Sequence, residues 1–187
     1  MIAHIIHDSR RKERLATIIK ETTEQGIEYR LWPAVIEENP WTGIMKAHTQ
    51  IVRWAKEQGL PEVLIMEDDV RFCGPGSFDY FLKTKPAEFD LYLAGIYHGS
   101  PNRENRVKKF SALHCYIIRA CFYDTFLAAP EDKHLDYYLS DFVKNGRYYV
   151  CNPFTAIQYN GYSIQKKRVM NYNFLLQGRS LYKNFTI

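Results

Sequence analysis

The stretch EVLIMEDDVRF, Glu62 to Phe72, sets four apolar residues, Val63 to Met66, directly before three carboxylates, Glu67, Asp68 and Asp69. A short, wholly apolar run predicts a strand covered on both faces, as in a parallel sheet flanked by helices. In open sheets of that kind ligands bind beyond the carboxyl ends of the strands, which is where these acids stand. Side chains two apart on extended backbone share a side. Glu67 and Asp69 should therefore converge while Asp68 points away. Converging carboxylates repel unless a cation lies between them or one takes up a proton. A hard divalent ion, Mn²⁺ or Mg²⁺, suits such oxygen ligands and can bridge a diphosphate. Adjacent acids at a strand end also act as helix caps or as partners of arginine, and Arg71 is near in sequence.

On the N-terminal side, "MIAHII" predicts a buried strand, followed by a helix over Arg10–Gln25 capped by Ser9 and closed by Gly26. "IEYRLWPAV" predicts a second strand. A helix over Trp41–Gln58 carries Ile44, Ala47, His48, Ile51 and Ala55 at three- and four-residue steps. After the acids come a turn at "CGPGS", a short helix "FDYFLKT" and a fourth strand "DLYLAG". Tyr97–Lys109 is polar and predicts a mobile loop. "ALHCYII" predicts a strand, Ala120–Ala129 and Leu135–Lys144 predict helices, and "RYYVCN" predicts a last strand. Beyond Pro153 the periodicity is too weak to place elements. Strands alternating with helices predict an α/β sandwich with a mainly parallel central sheet.

The chain has 187 residues, 46% apolar and 25% charged, which fits one folded domain and argues against disorder. No apolar run reaches the 18 or so residues of a membrane helix. The apolar patch at the N-terminus is too short and too early for a signal peptide, so a cytoplasmic protein is expected. Cys73, Cys115, Cys121 and Cys151 form no CxxC pair or zinc-type spacing, and reduced thiols are expected. All 21 acids lie at or before Asp141. Lys144, Arg147, Lys166, Lys167, Arg168, Arg179 and Lys183 follow, so residues 142–187 carry about +7. Such a basic, aromatic segment suits an anionic surface, or it is a solvated face that balances an acidic body.

The segments "IIHDSRRKERL", "YRLWPAV", "GIMKAHTQIVRWAKEQGLPEVLIMEDDV", "DLYLAG" and "HCYIIRACFYDTFLAA" come in an order that resembles glycosyltransferase family 25, the lipopolysaccharide-biosynthesis and collagen-galactosyltransferase type. The resemblance covers roughly residues 2–160 and is strongest over Gly43–Val70. It implies a GT-A-type, Rossmann-like fold over residues 1–160, with residues 161–187 as a basic C-terminal extension of the same domain. It further implies a nucleoside diphosphate sugar donor, a hexose such as galactose, and Mn²⁺ or Mg²⁺ at the acids. Asp69 is then the leading metal ligand. Glu67 shares the metal or holds the donor's ribose, and Asp68 orients the loop. His7 stands where relatives carry Asn at the donor. Pro153, Gln158 and Ser163 match a late segment of the family, but Ile164 replaces the Asp that follows the Ser.

Arg10, Arg11 and Arg14 suit a diphosphate at a helix start, with Arg14 the preferred contact because the other two face solvent. His48 falls on an apolar helix face and is either a hydrogen-bonded core residue or a donor-site residue. His114 either packs within its strand or points into the cleft. Asp136 matches an Asp of the family and is either the base that takes the acceptor's proton or a helix cap. Gly95 and Gly99 permit close approach to a sugar or simply make a turn. The reaction that the resemblance implies moves a hexose, with inversion, to a hydroxyl of a glycan or lipid-linked glycan, with peripheral contact at the inner membrane face and no nucleic acid. The rival readings are a Mg²⁺-dependent phosphoryl hydrolase and an inactive relative that serves as a binding module.

Overall fold

In the computed structural model, which describes residues 1–163 and 167–185, all six expected strands form. They are β1 (Ala3–His7), β2 (Tyr29–Pro33), β3 (Glu62–Glu67), β5 (Leu91–Leu93), β7 (Cys115–Arg119) and β8 (Tyr148–Val150). The two long helices are α1 (Lys12–Glu24) and α2 (Pro40–Glu57). Shorter ones are α3 (Ser77–Lys83), α4 (Tyr123–Leu127) and α5 (Leu135–Phe142). Ile164 and Lys166 lie outside the described residues.

A seven-stranded sheet runs in the order β2-β1-β3-β7-β5-β8-β6, where β6 is Arg106–Val107. β1 pairs parallel with β2 and β3, and β5 pairs parallel with β8. β7 is antiparallel to both β3 and β5, and β6 is antiparallel to β8. Five strands therefore run one way and two the other, and the sheet is mainly parallel as expected. Alternate side chains of its strands feed two cores. Ile6, Val63, Ile65 and Ile118 pack with Ile51 and Val52 of α2, Phe126 of α4 and Leu139 of α5. Ile5, Leu64, Met66 and Ile117 pack on the other face with Ile18 of α1 and Phe81 of α3.

Three expectations are corrected. Ser9 does not cap α1, which starts at Lys12 with Arg11 in the cap position and no side-chain cap bond. The Asp8 carboxylate instead accepts from the Arg10 backbone N–H at 3.1 Å and from its guanidinium, holding Asp8 to Arg11 in a turn. Tyr97–Lys109, expected as a mobile loop, is a loop that is not wholly irregular. Asn102 Oδ1 accepts from the N–H groups of Glu104 and Arg106, β6 follows, and His98 bridges to Ser111. The Ala120–Ala129 helix is split into a 3₁₀ turn (Ala120–Phe122) and α4. Beyond Pro153 lie β9 (Ala156–Gln158), which pairs antiparallel with β4 (Val70–Phe72), and a hairpin of β10 (Gly161–Ser163) and β11 (Arg168–Met170). All four cysteines are free thiols. Among the described residues no helix is long and apolar enough to cross a membrane.

On β1, His4 accepts the indole N–H of Trp32 at its Nδ1, 2.9 Å away, and packs against Trp54. Burial and then the nearby Arg30 charge push its pKa down to about 4. Only the neutral ring accepts that bond, and the unfolded chain takes up the proton first. Stability should fall as pH drops from about 6.5 towards about 4. The urea midpoint measured across that window should decline in the parent and decline less in His4→Gln.

Candidate active site

Chain order reverses at β1. The first crossover places β2 on one side of it, and the second places β3 on the other. A crevice opens at the carboxyl ends of strands where such a reversal occurs. Here the ends of β1 and β3 are joined by side chains. Asp68 Oδ2 accepts from His7 Nδ1 at 2.8 Å and from the Asp8 backbone N–H at 3.2 Å. Arg14, one turn into α1, donates from Nη1 to Asp68 Oδ1 at 2.9 Å and to Asp69 Oδ2 at 3.0 Å. Arg71, the arginine near in sequence, lies over the rings of Tyr159 and Phe185 instead.

Glu67 and Asp69 converge as expected, but Asp68 does not point away: its carboxylate and that of Asp69 accept from the same Arg14 nitrogen, because a turn follows β3 directly and ends the extended alternation. The side-chain amide of Gln158 donates to Glu67 Oε2 and to Asp69 Oδ1, each at 3.1 Å. Pairing of β4 with β9 sets Gln158 opposite Val70, one residue past the acids, and so delivers this amide. His48 is buried on α2, with Nε2 3.3 Å from Glu67 Oε1 and Nδ1 2.9 Å from the Tyr116 hydroxyl. It is thus both hydrogen-bonded in the core and adjacent to the acids.

The charge balance is uneven. Burial and then the charge of Glu67 push Asp69 up to about 7. Burial alone would raise Glu67 too, but its bond to and charge interaction with His48 bring it below the usual carboxylate range. The Arg14 guanidinium is held protonated, its desolvation outweighed by Asp69 and Asp68. Two converging carboxylates joined by a neutral amide are the groups a divalent cation would use, and each of their four oxygens already has a protein partner. Glu67 and Asp69 would be its protein ligands, and Mg²⁺-type ions commonly take one or two carboxylates plus substrate phosphates. No cluster of three or more metal-binding side chains exists among the described residues.

The acids border a cavity of about 450 Å³ whose walls include Arg10, Arg11, Arg14, Val35–Glu38, Gly43 and Lys167. Arg10 is exposed and paired with Asp8, Arg11 is paired with Glu13, and Arg14 alone reaches the acids. Gly43 is needed on α2 because a Cβ there would lie 2.4 Å from the Val35 carbonyl oxygen. A second cavity of about 190 Å³ shares Ile44, His48, Glu67, Gln158, Ser163 and Tyr172 with the first. Asp136 lines it, at the first turn of α5. Its carboxylate accepts the N–H groups of Ala112 at 3.2 Å and Tyr137 at 3.0 Å, and burial raises its pKa. Ala112 holds this position at φ +90°, a conformation costly for a residue with a Cβ.

Two expected donor-site residues stand back from the cavities. His7 is buried against Asp68. His114 is buried, and its Nε2 donates to the Ala156 carbonyl at 3.1 Å. Gly95 and Gly99 serve close backbone packing against Ala156 and Lys109. Gln158 was visible only as part of a late motif, and the side walls formed by Tyr97 and Tyr172 carried no sequence signal.

Comparison with solved structures places the fold among glycosyltransferases. A197 from STIV superposes with a TM-score of 0.53 at 14% identity, covering 90% of this chain and 92% of that one. A glycosyltransferase involved in the glycosylation of the major capsid of PBCV-1 gives 0.51 at 13% identity, covering 81% and 82%. The apo-form glycosyltransferase GlyE in Streptococcus pneumoniae TIGR4 gives 0.50 at 11%, covering 81% of this chain and 44% of that one. No protein-family model matches the sequence, and no curated protein matches it. At these identities the likeness is one of fold, and the chain has the GT-A-like fold.

Two substitutions test this architecture. Asp68→Ala strands the buried His7 donor, leaves Arg14 with Asp69 alone, and should lower the unfolding free energy by about 3 kcal/mol in urea titrations. Gly43→Ala, which normally favours a helix, should instead destabilise by about 1–2 kcal/mol, because the Val35 backbone must move.

Proposed function

We propose that this chain is a glycosyltransferase that takes a hexose from a nucleoside diphosphate sugar and delivers it to a hydroxyl of a glycan. The observation that carries this reading is the convergence of partly buried Glu67 and buried Asp69 on one amide, beside Arg14, in the wall of the larger cavity. The donor would lie there, its diphosphate facing Arg14 with Arg10, Arg11 and Lys167 on the same walls. These cations favour the charge that develops as the sugar–oxygen bond breaks. Mn²⁺ or Mg²⁺ held by Glu67 and Asp69 would supply further positive charge to the departing diphosphate. The acceptor would enter the second cavity. There Asp136, made more basic by burial, takes the proton from the attacking hydroxyl. A base on the acceptor side fits displacement with inversion.

The finer assignments, family 25 and galactose, rest on the order of the sequence motifs. A second reading, a binding module without catalysis, draws on one observation. Arg14 and Gln158 already satisfy the oxygens that a cation would need.

Nucleoside diphosphates tested with Mn²⁺ should raise the melting temperature, since a ligand at a hundred times its Kd adds about 2.7 kcal/mol to the folded state. Asp69→Asn should abolish the metal-dependent part of that rise. Nucleotide release from a panel of nucleotide sugars should require an acceptor hydroxyl and fall at least about a hundredfold in Asp136→Asn. If no nucleoside diphosphate stabilises the protein with either metal, the transferase reading fails. Release without acceptor would point to a hydrolase.

A further inference from the structure

The second cavity is walled by aromatic rings drawn from distant parts of the chain. Trp41 comes from the first turn of α2, and Tyr137 from the first turn of α5. His134, the residue before α5, joins them: its ring packs on Trp41, and its centroid is 5.0 Å from that of Tyr137. Tyr97 and Tyr172 add a stacked pair, with centroids 4.9 Å apart and planes 21° apart. That pair is held in place. The Tyr97 hydroxyl accepts the Gln158 backbone N–H at 2.8 Å, and the Tyr172 backbone N–H donates to Asn160 Oδ1 at 2.8 Å. Trp41 and Tyr137 belong to neither of the two cores, whereas Tyr138, next in sequence, packs on one. Core packing therefore does not account for an indole and a phenol at this wall.

Asp136 lies between His134 and Tyr137 in sequence and lines the same cavity, with Gln158. Rings beside a carboxylate and an amide make a surface with two chemistries. A pyranose has the matching pair. Its face of C–H groups, polarised by the ring oxygen, suits the electron-rich face of an aromatic ring. Its rim of hydroxyls donates to a carboxylate and exchanges hydrogen bonds with an amide. Small-molecule sites commonly take this form, apolar and aromatic walls with a few convergent polar groups. A volume of about 190 Å³ suits one sugar ring rather than a chain of them. A lipid alcohol would use the rings but not the polar groups beside them.

We propose that the second cavity is a subsite for a single pyranose ring, which lies against Trp41 and Tyr137 and so brings one of its hydroxyls to Asp136. Trp41 is then the residue that sets the plane of the sugar. That this sugar is the acceptor rests on the transferase reading. The subsite itself does not, because it holds a sugar without any donor.

Saturation-transfer NMR on the full chain tests the proposal, with methyl glycosides of glucose, galactose, mannose and N-acetylglucosamine as probes. Spectra are taken with and without a nucleoside diphosphate and Mn²⁺. At least one glycoside should receive saturation, more on its ring C–H protons than on its methyl group. Trp41→Ala should weaken that binding at least about tenfold, and Trp41→Phe should restore part of it. Tyr137→Ala, at a half-exposed position, should give a smaller loss at an unchanged melting temperature. The melting-temperature rise produced by a nucleoside diphosphate should persist in all three variants, since neither residue is among the described walls of the first cavity. The proposal is overturned if no glycoside is saturated in either state, or if Trp41→Ala and Tyr137→Ala both bind like the parent. A threonine-containing tripeptide saturated in place of the glycosides would overturn it in favour of a peptide hydroxyl. Glycoside binding by a protein that no nucleoside diphosphate stabilises would uphold the subsite and remove the transferase reading.

Discussion

Negative charge held out of water at the end of β3 is the constraint around which the site is built. Two unit charges about 4 Å apart interact with about 4 kcal/mol at the effective dielectric of a protein surface. Three neighbouring acids therefore cannot be buried by packing alone. Each answering group comes from a different element: His7 from β1, Arg14 from α1, His48 from α2 and Gln158 from β9. The acids thus fix where four elements meet. The geometry of the crevice follows from satisfying them, and the loop from Val35 to Glu38 is then seated on α2 by the bare face of Gly43.

Local physics was enough to read most of the scaffold. Apolar runs bounded by turn residues gave six of the seven strands of the central sheet, and three- and four-residue steps gave α2 nearly to the residue. The period-two rule gave the convergence of Glu67 with Asp69, but not the place of Asp68, which shares the Arg14 guanidinium with Asp69 because the strand gives way to a turn at that residue. What local pattern does not carry is pairing across long loops. β4 and β9 are three residues each, are separated by more than eighty residues, and stabilise one another only once the sheet exists. Gln158 gains its position from that pairing, so the late motif it shares with Pro153 and Ser163 singled it out without showing what it would touch. The Ser9 cap failed for a related reason. Asp8 outcompeted it by offering a carboxylate to Arg10 in a turn.

Likeness of fold to known glycosyltransferases places the crevice but not the chemistry, since one fold hosts many activities. The chemistry has to be argued from side chains. Here the two cavities share His48, Glu67 and Gln158 in their common wall. Ligands on either side of that wall touch the same hydrogen-bonded groups, and His48 is in turn anchored to Tyr116 in the core. The wall is therefore stiff where two substrates would meet. That is what a displacement reaction asks of a site that must hold both partners in line.

Geometry and charge are solved by different groups in this cluster. The Gln158 amide brings two carboxylate oxygens to hydrogen-bond distance while adding no net charge. Arg14 adds one positive charge but shares it between Asp68 and Asp69. The shortfall shows in Asp69, which is pushed up to about 7 by burial and by the charge of Glu67. The fold has thus fixed the positions of its acids, and burial beside Glu67 makes Asp69 the one that most readily takes up a proton.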